Sequence, residues 1–311
     1  MRALLTFATF VILLASPDTS YGAGPGKIVW PKPIEILQGE LIEVSVSGQE
    51  IAAVEGRLDK EKVVFFGDGA SGFNAIIGAD VDAKPASSKL RLTARTHTGT
   101  EINAEIPVTI KVKSFRQESF HVPPGFDRMT PESLTEIRRE QAAFARVFAA
   151  PSAERLWEAP FIRPVPHEAS ASSFGLRRII NGKPRAPHSG TDLSSPAGTE
   201  VNATNHGKIV LAGNFFFAGG SVVLDHGGGL FTMYFHLSEI RVGEGTRVRK
   251  GDMLGLSGAT GRVTGAHLHW GARLANARVD PLELLKKISN HRQLLPESTT
   301  PANEMEKKDG A

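Results

Sequence analysis

Between about residues 27 and 115 the chain alternates short β-branched runs with turn residues. The runs fall at 34–36, 41–46, 52–58, 63–66, 90–94 and 108–112. Apolar and polar side chains alternate through Glu40-Leu41-Ile42-Glu43-Val44-Ser45-Val46, the period-two pattern of a half-buried strand. Six or seven such strands at this spacing predict an Ig-like β-sandwich over 27–116. The period then changes. Thr130-Pro131-Glu132 offers a capping hydroxyl, a proline at the first helical position and an acidic first turn, which together start a helix. Leu134, Ile137, Phe144 and Phe148 recur at near-helical spacing until Pro151. A linker helix over 128–150 is expected, with one apolar stripe packed onto a domain.

Strand and turn signals return over 160–288, with glycine at nearly every reversal. His226-Gly227-Gly228-Gly229 separates two strand-like runs, 221–225 and 230–236, and reads as a hairpin turn. A short helix after Asp280-Pro281 closes this region, and 290–311 is a polar tail expected to be disordered. The overall expectation is a mainly β chain: sandwich, linker helix, and a second antiparallel β domain.

Composition adds three constraints. The chain has 311 residues, room for two ordinary domains, with 32 Gly and 19 Pro favouring turn-rich β structure. Its net charge of +3 and pI near 9.1 suit a polyanionic surface such as a cell wall but are too weak to argue for nucleic acid. No dense Lys/Arg stripe interleaves with aromatics, which argues against nucleic acid. The absence of cysteine excludes disulfides, thiolate metal ligands and a lipoprotein anchor on cysteine. At the N-terminus, Met1-Arg2 precedes an apolar run over 3–15 and then small polar residues. That run is too short to span a bilayer and fits a signal-peptide core. A signal peptide over 1–23 is expected, cleaved after Gly22 or Ala23, with export to the periplasm or cell envelope, or secretion. No membrane span is expected in the mature chain.

The candidate chemistry lies in His188, Asp192, His236, His267 and His269. Pro187, Gly190, Pro196 and Gly198 argue that His188 and Asp192 share an extended segment, where an even spacing puts both on one face. His267 and His269 do the same on theirs. Either pair alone arises easily by chance in a chain with ten His. Both together, each flanked by glycine, point to a metal held between two strands. Two imidazoles and one carboxylate would leave a fourth zinc position for water, the pattern of a catalytic rather than a structural site. The net positive charge would activate that water and stabilise an oxyanion. Proton transfer would fall to His236 or to whichever of His267 and His269 is not a ligand. The remaining histidines, His97, His121, His167, His206, His226 and His291, read as surface or turn residues.

The segment 173–284 resembles the lysostaphin-type (LytM-like) zinc metallopeptidases. The shared marks begin with Phe174-Gly175-Leu176-Arg177, His188-x-Gly190-x-Asp192, Pro196-Ala197-Gly198-Thr199 and Leu224-Asp225-His226-Gly227. They continue through Tyr234-x-His236-Leu237, Val248-x-Lys250-Gly251-Asp252, Ser257-Gly258-x-Thr260-Gly261, Gly265-x-His267-Leu268-His269 and Asp280-Pro281. The resemblance covers a little over a third of the chain. It implies a compact antiparallel fold related to biotinyl/lipoyl domains (a duplicated hybrid motif), with a groove closed by loops. It implies one Zn2+ held by His188, Asp192 and His269. It also implies that His236 and His267 orient or deprotonate the water and stabilise the intermediate. The implied substrates are peptidoglycan stem peptides or cross-bridges.

Rival motifs carry less. His226-Gly227-Gly228-Gly229 imitates an esterase loop, but no Gly-x-Ser-x-Gly elbow accompanies it. The glycine-rich 258–265 stretch lacks the Gly-Lys-Ser/Thr of a phosphate loop. Residues 243–252 resemble a biotinyl/lipoyl hairpin without its displayed lysine. Phe215-Phe216-Phe217 fits either a groove-wall loop or a strand end packed into the core. A silent, peptidoglycan-binding or hydrolase-activating relative is the second functional reading, disfavoured because all five site positions are present. A last expectation is control: the sandwich and the helix cover the groove until the wall or a regulatory protein partner displaces them.

Overall fold

The computed structural model describes residues 28–67, 72–123, 129–166 and 173–288. The expected signal segment at 1–23, the expected tail, His167 and His291 lie outside them. Among the described residues no helix is long and apolar enough to cross a membrane.

The first eight strands are β1 (Ile34–Leu37), β2 (Leu41–Ser47), β3 (Ile51–Leu58), β4 (Glu61–Val64), β5 (Phe66–Gly67), β6 (Gly72–Gly78), β7 (Ala86–Thr96) and β8 (Glu101–Lys111). They form two sheets, ordered β1-β8-β7-β3-β4 and β2-β6-β5. Their inward positions, among them Ile36, Val44, Val46, Val54, Ile77, Leu90, Leu92 and Val108, make one apolar core. Alternation explains the pairing of the faces: in β7 the buried residues are Leu90, Leu92, Ala94 and Thr96, with Arg91 and Arg95 turned outward. The β-branched run expected at 108–112 is the end of a longer strand. Glu101, Asn103 and Glu105 occupy the outward positions of β8, which masked its start, and Val112 lies beyond it, 64% exposed. The run at 63–66 is likewise divided between two sheets.

β9 (Gln117–Phe120) leads into α1 (Pro131–Phe148), and β10 (Arg177–Ile180) and β11 (Lys183–Pro184) follow. Thr130 caps α1 as expected, accepting a hydrogen bond from the Ser133 amide at 3.2 Å. The remaining strands are β12 (Gly190–Ser194), β13 (Glu200–Asn202), β14 (Gly207–Phe215), β15 (Gly219–Gly227), β16 (Leu230–Ile240), β17 (Arg247–Val248), β18 (Met253–Ser257), β19 (His267–Leu274) and β20 (Ala277–Val279), closed by α2 (Pro281–Lys287). They build a curled antiparallel sheet along β12-β19-β16-β15-β14-β17. One face is packed by Leu193, Val222, Leu224, Tyr234, Leu268 and Trp270.

The opposite face is divided. Leu211, Val223, Phe231 and Met233 pack under Ala143, Phe144, Val147 and Phe148 of α1, so α1 covers the β14–β16 side. The sandwich docks elsewhere. Leu41 joins Trp157, Leu230, Leu274 and Leu284 in a third cluster, and Arg278 Nη2 donates to Asp80 Oδ1 at 2.6 Å. This contact is at the Leu274 end of β19, about 23 Å along the strand from His267 at the rise of an extended chain.

His226 is a correction to the sequence reading. It is fully buried: its Nδ1–H donates to the His206 carbonyl at 2.7 Å and its Nε2 accepts from the Thr232 hydroxyl at 2.8 Å. Burial lowers its pKa to about 4. The unfolded ring takes up a proton near pH 6.5 while the folded one stays neutral, so stability falls as pH drops through this window and levels off near pH 4. A difference of this size corresponds to about 3 kcal/mol. Urea unfolding at stepped pH should therefore show a shallower acid loss for His226→Gln than for the parent chain. Equal losses would contradict the assignment.

Candidate metal centre

The ladders β12–β19 and β19–β16 place residues in rows across the sheet. Asp192 stands opposite His269, and His269 opposite Phe235; one row away Ser194 faces His267. Directly opposed residues share a face, so Asp192, His267, His269 and Phe235 all project beside the area covered by α1. His188 lies two residues before β12 rather than within it. Backbone hydrogen bonds from Gly175 N to His188 O (2.8 Å) and from His188 N to Leu176 O (3.1 Å) hold the segment straight.

His236 reaches the same place by a different device. Between the pairs Val222–Tyr234 and Gly220–Leu237 the register slips, so two residues of β16 oppose one of β15. Such a bulge re-aims a side chain. His236 there adopts φ +67, a left-handed conformation that costs a non-glycine residue about 1–2 kcal/mol. Strain of this kind persists where the surroundings hold it, often at functional sites.

Three donor atoms converge. His188 Nε2 lies 3.0 Å from His269 Nδ1, His269 Nδ1 3.0 Å from Asp192 Oδ1, and His188 Nε2 3.2 Å from Asp192 Oδ1. A tetrahedral ion with bonds of 2.0–2.1 Å has ligand edges of about 3.3 Å, so the triangle matches one face of such a polyhedron. The protonation pattern matches too. His188 Nδ1 lies 2.9 Å from the Ser173 carbonyl, which can only accept, so the hydrogen sits on Nδ1 and Nε2 is the atom turned to the cluster. Burial raises the pKa of Asp192, but hydrogen bonds and charge from His188 and His269 outweigh it and hold the carboxyl well below its usual range. Burial lowers the pKa of His269 against the pull of Asp192. A carboxylate and two neutral imidazoles are a donor set suited to zinc.

The other two rings form a pair with centroids 4.8 Å apart. His236 Nδ1–H donates to the Thr260 carbonyl at 3.0 Å, and His267 Nδ1–H to the Gly265 carbonyl at 2.9 Å. Each therefore keeps Nε2 free to face the cluster; His267 Nε2 is 3.7 Å from Asp192 Oδ1. Burial, with the nearby His269, lowers the His236 pKa to about 4. All five residues singled out in the sequence thus come together. The Gly-rich 258–265 stretch, dismissed as a phosphate loop, supplies the two carbonyls that orient His236 and His267. Ser173 and Phe235 also shape the site. No sequence signal marked them: Ser173 accepts from His188 Nδ1 at its carbonyl and from the Asp192 amide at its hydroxyl (2.9 Å each), and Phe235 acts through a ring stacked on His269 at 5.4 Å and 4°.

Residues 186–281 match the model of Peptidase family M23. Over 101 residues the chain is 46% identical to the peptidoglycan DD-endopeptidase ShyA of Vibrio cholerae, covering 32% of this chain and 24% of that protein. It is 37% identical over 123 residues to the DD-carboxypeptidase/endopeptidase Mpg of Neisseria meningitidis, covering 40% of this chain and 28% of that one. The chain spans about a quarter of the length of these curated relatives. A crystal structure from Pseudomonas aeruginosa assigned to peptidase M23 is 31% identical, with a TM-score of 0.62, covering 82% of this chain and 95% of that one. The matched segment carries all five clustered residues and the structural likeness extends well beyond it: the chain belongs to peptidase family M23.

Proposed function

We propose that the chain is a zinc-dependent endopeptidase that hydrolyses peptide cross-links of bacterial peptidoglycan after export by its N-terminal signal. The observation that carries this reading is the triangle of His188 Nε2, Asp192 Oδ1 and His269 Nδ1, with edges of 3.0–3.2 Å. Bound there, Zn2+ would supply Lewis acidity to a water and to the scissile carbonyl. The chain's own residues supply the proton path. His236 and His267, pinned through Nδ1, begin as acceptors at Nε2. The ring that takes the proton of the attacking water becomes the donor for the leaving amide nitrogen, so water is added across the C–N bond with no net change in either ring. The name of the Vibrio relative, a peptidoglycan DD-endopeptidase, supports a peptidoglycan substrate, and that of the Neisseria relative supports endopeptidase chemistry.

Gly190 is part of the same reading. A Cβ at this position would lie 2.5 Å from His269 Nε2 and 2.6 Å from the Trp270 carbonyl, so neither ring nor backbone can stay in place. Gly190→Ala is expected to weaken zinc binding about 10- to 100-fold, the usual effect of disturbing the support of a ligand. Chelator competition measures it, and unchanged affinity would contradict the ligand assignment of His269.

The function is tested by incubating the full-length, zinc-loaded chain with peptidoglycans of defined cross-link type and identifying released muropeptides by mass spectrometry. Conversion of cross-linked dimers to monomers, stopped by a chelator and restored by zinc, is expected. Intact cross-links in every wall type would contradict the proposal.

A further inference from the structure

Three of the four imidazoles at the site are held in the same way, by an Nδ1–H donated to a backbone carbonyl: His188 to Ser173, His236 to Thr260 and His267 to Gly265. His269 cannot use that device, because its Nδ1 is the atom that faces Asp192 and His188. One edge of its ring lies against Gly190, which offers no side chain. A flat surface fixes it instead. Phe235 stacks on His269 with the planes 4° apart.

Phe235 is itself seated from above. Phe144 of α1 meets it edge-on, with centroids 5.8 Å apart and planes at 79°. Phe144 also packs on Phe215 at 5.0 Å. One turn earlier on the same stripe, Glu140 Oε1 accepts a hydrogen bond from Phe216 N at 2.7 Å. That turn continues to Ala218, whose carbonyl accepts from His236 N at 2.8 Å. Glu140, Phe144 and Phe148 follow at i, i+4 and i+8, one face of a helix. This stripe bears on the supports of two site residues.

We propose that α1 is a positioning element of the site, in which Phe144 seats Phe235 and Phe235 fixes the ring plane of His269. The inference rests on the reading of His269 as a metal ligand. It gives α1 a role opposite in sign to the restraint suggested by its place in the sequence: removing its contacts lowers activity instead of releasing it.

The test uses full-length protein and two readouts: zinc affinity by chelator competition, and kcat and KM on a cross-linked peptide. Phe144→Ala is expected to weaken zinc binding about tenfold, the lower end for disturbed ligand support, and to lower kcat with KM nearly unchanged. Phe144→Leu, which keeps an apolar contact on Phe235, restores most of both. Phe235→Leu, which keeps the packing but removes the flat ring, reproduces the zinc loss with α1 untouched. Phe148→Ala is the control. Phe148 also touches Phe144, at 6.1 Å between centroids, but its nearer partners are Phe231 at 5.2 Å and Arg273 at 4.6 Å, and among the described residues it makes no ring contact with Phe235 or His269. Phe148→Ala leaves zinc affinity less affected than Phe144→Ala does while losing similar helix packing. Three results overturn the proposal: parental zinc affinity and kcat in Phe144→Ala, a raised kcat in Phe144→Ala, or equal zinc loss in Phe144→Ala and Phe148→Ala. Failure of the parent chain to bind zinc is a different result; it removes the ligand reading of His269 and the inference with it.

Discussion

His269→Ala reduces hydrolysis of cross-linked peptides by about 10^3-fold or more and leaves the purified chain without stoichiometric zinc. His269 closes the two shorter edges of the donor triangle, each 3.0 Å against 3.2 Å for the third. Without it His188 and Asp192 present only two donors, too few for a catalytic zinc site, which keeps three protein ligands. Lewis-acid stabilisation of the transition state is worth several kcal/mol, and each 1.4 kcal/mol is a factor of ten in rate. The fold should survive, since the sheet core of Leu268 and Trp270 lies on the other face. Metal analysis and initial rates on the folded variant check this. Zinc retained at one per chain with near-parental activity would place the ion elsewhere.

The second large effect separates chemistry from binding. His236→Ala lowers activity about 10^2- to 10^4-fold, the range expected for a lost general base or acid, while zinc remains at one per chain. The ring sits 6.0 Å from His269 between centroids and supplies no atom to the donor triangle. Its backbone gives a second readout. Because His236 holds φ +67, His236→Gly is expected to be about 1–2 kcal/mol more stable than His236→Ala, as glycine carries no penalty there. Both variants are equally inactive. Activity kept by either variant, or zinc lost from both, would contradict the assigned role.

The extent to which the sequence was legible follows from what each residue does. His188, Asp192, His236, His267 and His269 could be found because each presents a side chain of the right chemistry, and because even spacing on extended backbone fixes a shared face. Choosing between His267 and His269 as ligand was beyond spacing, since both point the same way from β19; the cross-strand register with Asp192 distinguishes them geometrically. The strand β6 was invisible because Gly72, Asn74 and Gly78 break the β-branched pattern, although Ala75 and Ile77 are buried. His226 was misread from the three glycines after it, which suggested that the turn began two residues early, whereas β15 runs through Gly227. The apolar stripe of α1 was plain from its period, but periodicity says which face is covered and not by what. Its partner, Phe235, stands 91 residues further on in sequence from Phe144 and is paired with His269 only through the sheet.

The central claim is that one ion sits among His188 Nε2, Asp192 Oδ1 and His269 Nδ1. Anomalous diffraction at the zinc edge from crystals of the full-length chain tests it directly. The account predicts a single strong peak about 2.0–2.2 Å from all three atoms, with His236 and His267 beyond bonding distance. A peak coordinated by His236 or His267 in place of His269, or none within reach of Asp192, would contradict it.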